Sequence, residues 1–571
     1  VRAAGAAWGL VFVTVDNLGA FGKLIYQKAV KQFTTRQEHM VKSLGVSRMV
    51  ITGAALGLVL YACSPAATGG EAVGASGTAC AAQAGWPTGA LRAAKAHAVD
   101  AAQVLPADQL RDWGKALDAH GLRDTGGKAH EAYIDEIIAR LTCAGVAGVK
   151  TETVPFERWS VDAWSLAVAE GPQAGPVKVA AYVPYSGMTS EAGVTAPLVY
   201  LGDQHPASAG VAGKIVLFDV PAPPKLPFAF FTALALDVYD PEGRFEAGTY
   251  SRPYLASPAD LIKELSAAGA AGGIAILDLP YETAYGTYVP YEGEIRTAPS
   301  LYVDKAEGAR LKALADGGTR VTLALPAQVH AVETRNIVAV IPGASDELIA
   351  LHSHSDGTNG IEDNGPDAIV GIAQYLSRLP RAALPRSILI VITGGHFIGG
   401  IAAERFLDVH KSDGLRDRIK AMITLEHLGA LEWVPDAGGI LEPTGKTEPA
   451  VIFQPKIQAL ADASYRALKF GSVAPAAVLQ PMDPGAAGTH DDAVWPGEGQ
   501  YFWGQGRIPN ANYISGPYYL LNWGVSTVDK IDYEQMRRET VAFTQMLLEL
   551  SRVPVDELSR EADKVTRSDG L

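Results

Sequence analysis

The chain has 571 residues, 48% of them hydrophobic and 19% charged, with a formal net charge of −14 at pH 7. That balance belongs to a globular protein of two or three domains at roughly 100–200 residues each, and it argues against a largely disordered chain. An acidic chain has no general attraction for phosphate backbones, so nucleic acid is not an expected partner, and three cysteines are too few for a disulfide scaffold.

Residues 1–39 precede a complete export signal and read as a non-native upstream extension. Met40 opens that signal, with Lys42 and Arg48 as its basic start and an apolar run over 49–61. The run is shorter than the ~20 residues of a membrane span and fits a signal-peptide core. It ends in Leu60-Tyr61-Ala62-Cys63, which looks like a bacterial lipobox. The expectation is a lipoprotein signal over 40–63, a lipid on Cys63, and a place in the bacterial cell envelope facing periplasm or exterior. Residues 64–86, rich in Ala, Gly, Ser and Thr, read as a flexible tether. Cys80 and Cys143 remain, and their spacing leaves open whether they pair.

From 91 to 148 the apolar spacing is helical: Leu110, Trp113 and Leu117, then Ile134, Ile137, Ile138 and Leu141, separated by a breaker-rich turn at 121–127. From 177 the character changes to short β runs at 197–201, 214–218 and 273–277, with a helix at 261–271 before the last. Residues 221–260 form a long aromatic insertion with Phe228, Phe230, Phe231, Tyr239 and Tyr250, expected to act as a lid or wall. Beyond 335, buried-strand runs at 336–341, 348–352, 387–393 and 421–425 alternate with helical stretches at 368–379 and 402–410. Such alternation predicts an α/β fold with a mostly parallel sheet and helices on both faces.

In such sheets ligands bind beyond the carboxyl ends of the strands. Those ends carry His352, His354 and Asp356 after one strand, His396 after the next, and Glu426 with His427 after a third. The loop between the first two carries Glu362, Asp363 and Asn364. Imidazoles and carboxylates meeting from several strand ends suit a catalytic metal site that keeps a position for water.

The motifs resemble the co-catalytic zinc aminopeptidases and related glutamate carboxypeptidase-like metallopeptidases. His354-Ser355-Asp356 looks like their His-x-Asp, and Glu362-Asp363-Asn364-Gly365 like their Asp-Asn. Gly394-Gly395-His396-Phe397-Ile398-Gly399 sits at Gly-Gly-Glu-Glu-x-Gly, and Glu426 where the family has an Asp ligand. Gly488-Thr489-His490-Asp491-Asp492 is similar to a loop near the pocket, and residues 526–532 to the closing motif. Residues 211–218, 268–270 and 297–301 look like an inserted protease-associated domain. The resemblance implies a zinc-exopeptidase-like domain over 87–176 and 331–555, a β-rich protease-associated domain over 177–330, and a tail over 556–571.

It also implies a site that departs from the family. The base position is His396, a ligand position is Phe397, and the last ligand position is Asn522. One metal subsite is intact in His354, Asp363 and Glu426, with Asp356 orienting the histidine. His352, His427 and His490 are candidates for a further ligand or a substrate contact. The expectation is a hydrolase of a peptide, amide or ester bond with one divalent ion, zinc first and manganese second. His396 would be its general acid/base, since its reference pKa of ~6.5 suits proton transfer near neutrality. The alternative is a non-catalytic, envelope-anchored protein that captures peptides or other ligands.

Overall fold

The computed structural model describes Cys80 and residues 85–559, apart from 224, 234, 247 and 481–494. The upstream extension, the signal with Cys63, nearly all of the tether, His490 and the tail from 560 lie outside the described residues.

The main sheet has nine strands. Its centre is four parallel strands, in the order Ser387–Thr393, Leu348–His354, Ile419–Leu425 and Asn510–Ser515. Three of them are rich in Ile, Leu, Val and Ala, Asn510–Ser515 carries two asparagines and a tyrosine, and almost every residue of the four is buried. A strand covered on both faces has no solvent side to encode, so polar alternation is lost. Along Leu348–His354, Ile349 and Leu351 enter the larger core with the helices Gly365–Leu376 and Tyr533–Leu550. Leu348 and Ala350 face the helix Ile401–Ser412 through Ala403, Phe406 and Leu407. Helices therefore cover both faces.

Further strands extend the sheet on each side, all paired antiparallel except Ala450–Phe453 with Ala476–Leu479, which run parallel. Gln328–Ile341 and Lys150–Ser160 flank one edge. Ala450–Phe453, Ala476–Leu479 and Ala235–Tyr239 flank the other. The helices Ala107–Ala119 and Lys128–Cys143 occupy the region of predicted helical spacing, with the 121–127 breaker run between them. Cys80 is disulfide-bonded to Cys143.

A second sheet of eight strands draws its residues from Ser165 to Ala324. Two of its strands, Ser165–Val168 and Gly175–Val177, lie largely ahead of the expected boundary at 177. The 221–260 insertion is also distributed differently from the expectation. Its strand Ala235–Tyr239 is an edge of the main sheet, paired with Ala476–Leu479. Two of its aromatics pack within the insertion, Phe228 on Phe245 and Phe231 on Tyr250, while Tyr239 packs on Tyr465. Among the described residues no helix is long and apolar enough to cross a membrane.

Candidate metal centre

The strand order reverses at Leu348–His354, since the next strand in the chain lies to one side and Ile419–Leu425 to the other. This is the switch point at which open α/β sheets bind ligands. His354 ends that strand and is fully buried. Its Nδ1 lies 2.9 Å from the carbonyl oxygen of Asp356. A carbonyl only accepts, so Nδ1 carries a proton and, in the neutral ring that binds a metal, Nε2 keeps its lone pair. His427 repeats the arrangement, with Nδ1 2.6 Å from the carbonyl oxygen of Ser515.

The two Nε2 atoms meet Glu362. One atom from each of His354, Glu362 and His427 lies within 4.8 Å of the other two. Glu426 closes the group, its Oε2 3.6 Å from His354 Nε2. Its other oxygen accepts from Glu498 N and Asn512 Nδ2, both at 2.9 Å. His354 Nε2, Glu362 Oε2, Glu426 Oε2 and His427 Nε2 are all buried and without a hydrogen-bond partner. Leaving one such atom unpaired costs about 1–3 kcal/mol, more for a charged group. His354 and His427 group with Glu362, and Glu426 Oε2 lies beside His354, so two imidazoles and two carboxylates make up the donor set of a divalent cation. The residues fit the ion.

The electrostatics agree. Burial works against a charge on His354, yet Glu362 and Glu426 hold its pKa well above the ordinary value. Burial would raise the Glu426 carboxyl, but the neighbouring His354 brings it down to about 2. The cluster stabilises positive charge at its centre.

Asp363, expected as a ligand, has its carboxylate engaged by Arg123. Arg123 Nε and Nη2 donate to its two oxygens at 2.6 and 2.5 Å, and both side chains are fully buried. Arg123 also holds the loop by its backbone, exchanging hydrogen bonds with Gly357 in both directions. A Cβ on Gly357 would sit 2.6 Å from both Glu362 Oε2 and Asp363 Cγ, so only glycine lets this turn pass beneath the two acids. Asn364 then ties the loop to the next one, donating to and accepting from the backbone of Leu428. The carboxylate that reaches the histidines is Glu362, one residue before the expected one.

Asp356 does not use its carboxylate on His354, whose Nδ1 is 4.0 Å away. That carboxylate accepts from His396 N, Phe397 N and Thr125 Oγ1 at 3.1, 2.8 and 2.5 Å. It fixes the turn that carries His396. The His396 ring lies 4.3 Å from that of His354. Its Nδ1 is 2.7 Å from Glu498 Oε2, and its Nε2 is 3.6 Å from Glu362 Oε1. Burial and the neighbouring His354 work against a charge on His396, but Glu498 and Glu362 raise its pKa overall. Sequence reasoning missed Glu498, which follows no strand end, and Arg123, which lies in a breaker-rich turn.

His352 does not join the site. It is held between Thr424 and Thr393 with its ring 4.5 Å from Phe502, and burial lowers its pKa to about 3. Phe397 is fully buried against Tyr288 and Tyr291. Asn522 spends its amide on Gly524 N and Thr283 O. The wall over His396 comes from residues 285–293, where Glu292 bridges Ile398 and the Tyr291 ring lies 5.4 Å from that of His396. From the expected wall, residues 221–260, Arg252 donates to the carbonyl oxygen of Gly516, the residue after Ser515.

The nine-stranded α/β architecture is a zinc-aminopeptidase-like fold. It is shared with a zinc aminopeptidase from Bacillus subtilis, with a TM-score of 0.57 and 16% identity, covering 79% of this chain and 97% of that one. A Peptidase M28 precursor from Shewanella amazonensis is similar at a TM-score of 0.54 and 17% identity, covering 81% and 95%. No protein-family model matches the chain, and no curated protein matches its sequence.

Proposed function

We propose that the protein is a metal-dependent hydrolase of amide bonds in small peptides, with esters as the alternative substrate, working with one divalent ion. The observation that carries this reading is the set of four unpartnered buried atoms on His354, Glu362, Glu426 and His427. Two nitrogens and two anionic oxygens suit zinc first and manganese second. The fold shared with the Bacillus subtilis zinc aminopeptidase supports it. Bound there, the ion supplies Lewis-acid polarisation of a carbonyl and activation of water. Phe397 and Asn522, engaged elsewhere, offer nothing to a second ion.

The chain's own groups supply the rest. Asp356 O and Ser515 O fix the tautomers of the two ligating histidines. Glu498 orients His396, whose Nε2 takes or gives the proton beside Glu362. His396, at 8% exposure, is the least buried member of the group. Tyr291 shields it from water on the side of the second sheet. We further read the second sheet as an inserted protease-associated domain, and the chain as a lipoprotein of the cell envelope. The disulfide suits that oxidising compartment.

Elemental analysis of purified protein should give about one ion per chain, and a panel of aminoacyl amides, peptides and esters should reveal turnover. His396→Ala should lower kcat by roughly 10²–10⁴-fold with metal content retained. Two ions per chain would refute the one-metal reading. A tightly held ion with no turnover on any substrate would favour a ligand-binding protein.

A further inference from the structure

Among the residues by which the 221–260 insertion meets the main sheet and its loops, Arg252 has an unusual environment. Arg252 is 3% exposed. Its guanidinium lies between the rings of Tyr250 and Tyr518, 4.5 and 4.3 Å from their centroids. Its Nη2 is paired with Glu448, and its Nε donates to the carbonyl oxygen of Gly516 at 2.7 Å. A planar fork held between two rings has little freedom left, so it fixes what it bonds.

What it bonds is the chain end that holds His427. Ser515 precedes Gly516, and it and His427 bond reciprocally: His427 Nδ1 to Ser515 O at 2.6 Å, and Ser515 Oγ to His427 O at 2.7 Å. His427 sits at φ 57°, a left-handed conformation uncommon for a residue with a side chain, so it needs such anchoring. Glu448, the partner of Arg252, donates its own N–H to Ala430 O, three residues beyond His427. Tyr250 and Tyr254 close over Gly516, where a Cβ would lie 2.5 Å from the Tyr254 hydroxyl. The insertion therefore grips both chain segments that determine where the His427 ring points.

We infer that Arg252 is a positioning residue for the metal centre, acting through Gly516 and Ser515 to aim His427 Nε2 at the ion. The inference rests on the metal reading above and goes beyond it in giving the insertion a part in metal affinity. Groups that orient a ligating histidine typically change metal affinity 10–100-fold when altered.

The test is competition of the apoprotein for zinc against a chromogenic chelator. Arg252→Lys keeps a charge beside Glu448 and removes the fork, and it should weaken zinc binding about 10-fold. Glu448→Gln, which leaves the guanidinium but frees it to turn, should weaken binding in the same direction and decides the matter if the lysine variant does not fold. With His427→Ala already in place, neither change should alter affinity by more than about twofold, because the ligand they serve is gone. Wild-type affinity in both folded variants, or an equal loss without His427, overturns the positioning role and leaves the metal reading standing. A wild type that takes up no zinc overturns both.

Discussion

At the scale of single residues, Glu362 and Asp363 are adjacent acids with opposite situations. Asp363 has a buried guanidinium on both oxygens, whereas Glu362 has an oxygen with no partner and two histidines beside it. Glu362→Gln should therefore abolish stoichiometric metal binding, because one of the two anionic donors becomes a neutral amide. Asp363→Asn should keep the metal and cost roughly 3–5 kcal/mol, because Arg123 is left buried without its counter-charge. Paired elemental analysis and denaturant titration read both outcomes, and metal loss in Asp363→Asn would return that residue to the ligand set. The sequence places both acids on one loop and does not distinguish their surroundings. Which of two neighbours faces a site depends on a turn at Gly357 and on Arg123, some 240 positions away. A tertiary contact of that range leaves no local pattern.

At the scale of elements, the strands were legible because they are buried on both faces. Ser387–Thr393 was bounded to the residue, and Leu348–His354 and Ile419–Leu425 were short by two residues at one end. The strand Gln328–Ile341 was read only over its apolar second half, since its first half is largely exposed and carries polar residues. The helix Tyr533–Leu550 shows how much an element can hold besides apolar packing. Asp532 caps it by accepting from the N–H groups of Glu534 and Gln535. Glu539, midway along, is buried, and burial pushes its carboxyl up to about 7 from an ordinary 4.5 despite bonds from Tyr513, Gln535 and Gly429. Below pH 4.5 it is protonated folded or unfolded. As pH rises from there to about 7, the unfolded chain ionises first, so stability falls, and the loss is complete above the folded value. Glu539→Gln should thus match wild type within about 1 kcal/mol near pH 4.5 and exceed it by up to about 3 kcal/mol at pH 8. Denaturant midpoints at the two pH values measure the difference, and equal gains at both would contradict it.

At the scale of the whole molecule, the export reading rests on sequence. Cys63→Ser should move the protein from the membrane to the soluble fraction of cells, and unchanged fractionation with no lipid on the wild type would reject the anchor. The second sheet raises a different matter, that of its attachment. The strands Lys150–Ser160 and Gln328–Ile341 pair along eleven positions, from Lys150 with Val338 to Ser160 with Gln328. The chain leaves for the second sheet at one end of this ribbon and comes back at the same end, between partners already hydrogen-bonded neighbours. Geometrically, more than 160 residues occupy the place of a hairpin turn. Closing such a loop costs little more than closing a short one, since the entropy grows only with the logarithm of its length. A gene could therefore have acquired this segment in one event without disturbing the register of the parent sheet. Conversely, a two-residue Asn-Gly link from Ser160 to Gln328 would restore an uninterrupted hairpin. Such a chain would bare Phe397 and His396, whose covering tyrosines depart with the excised piece.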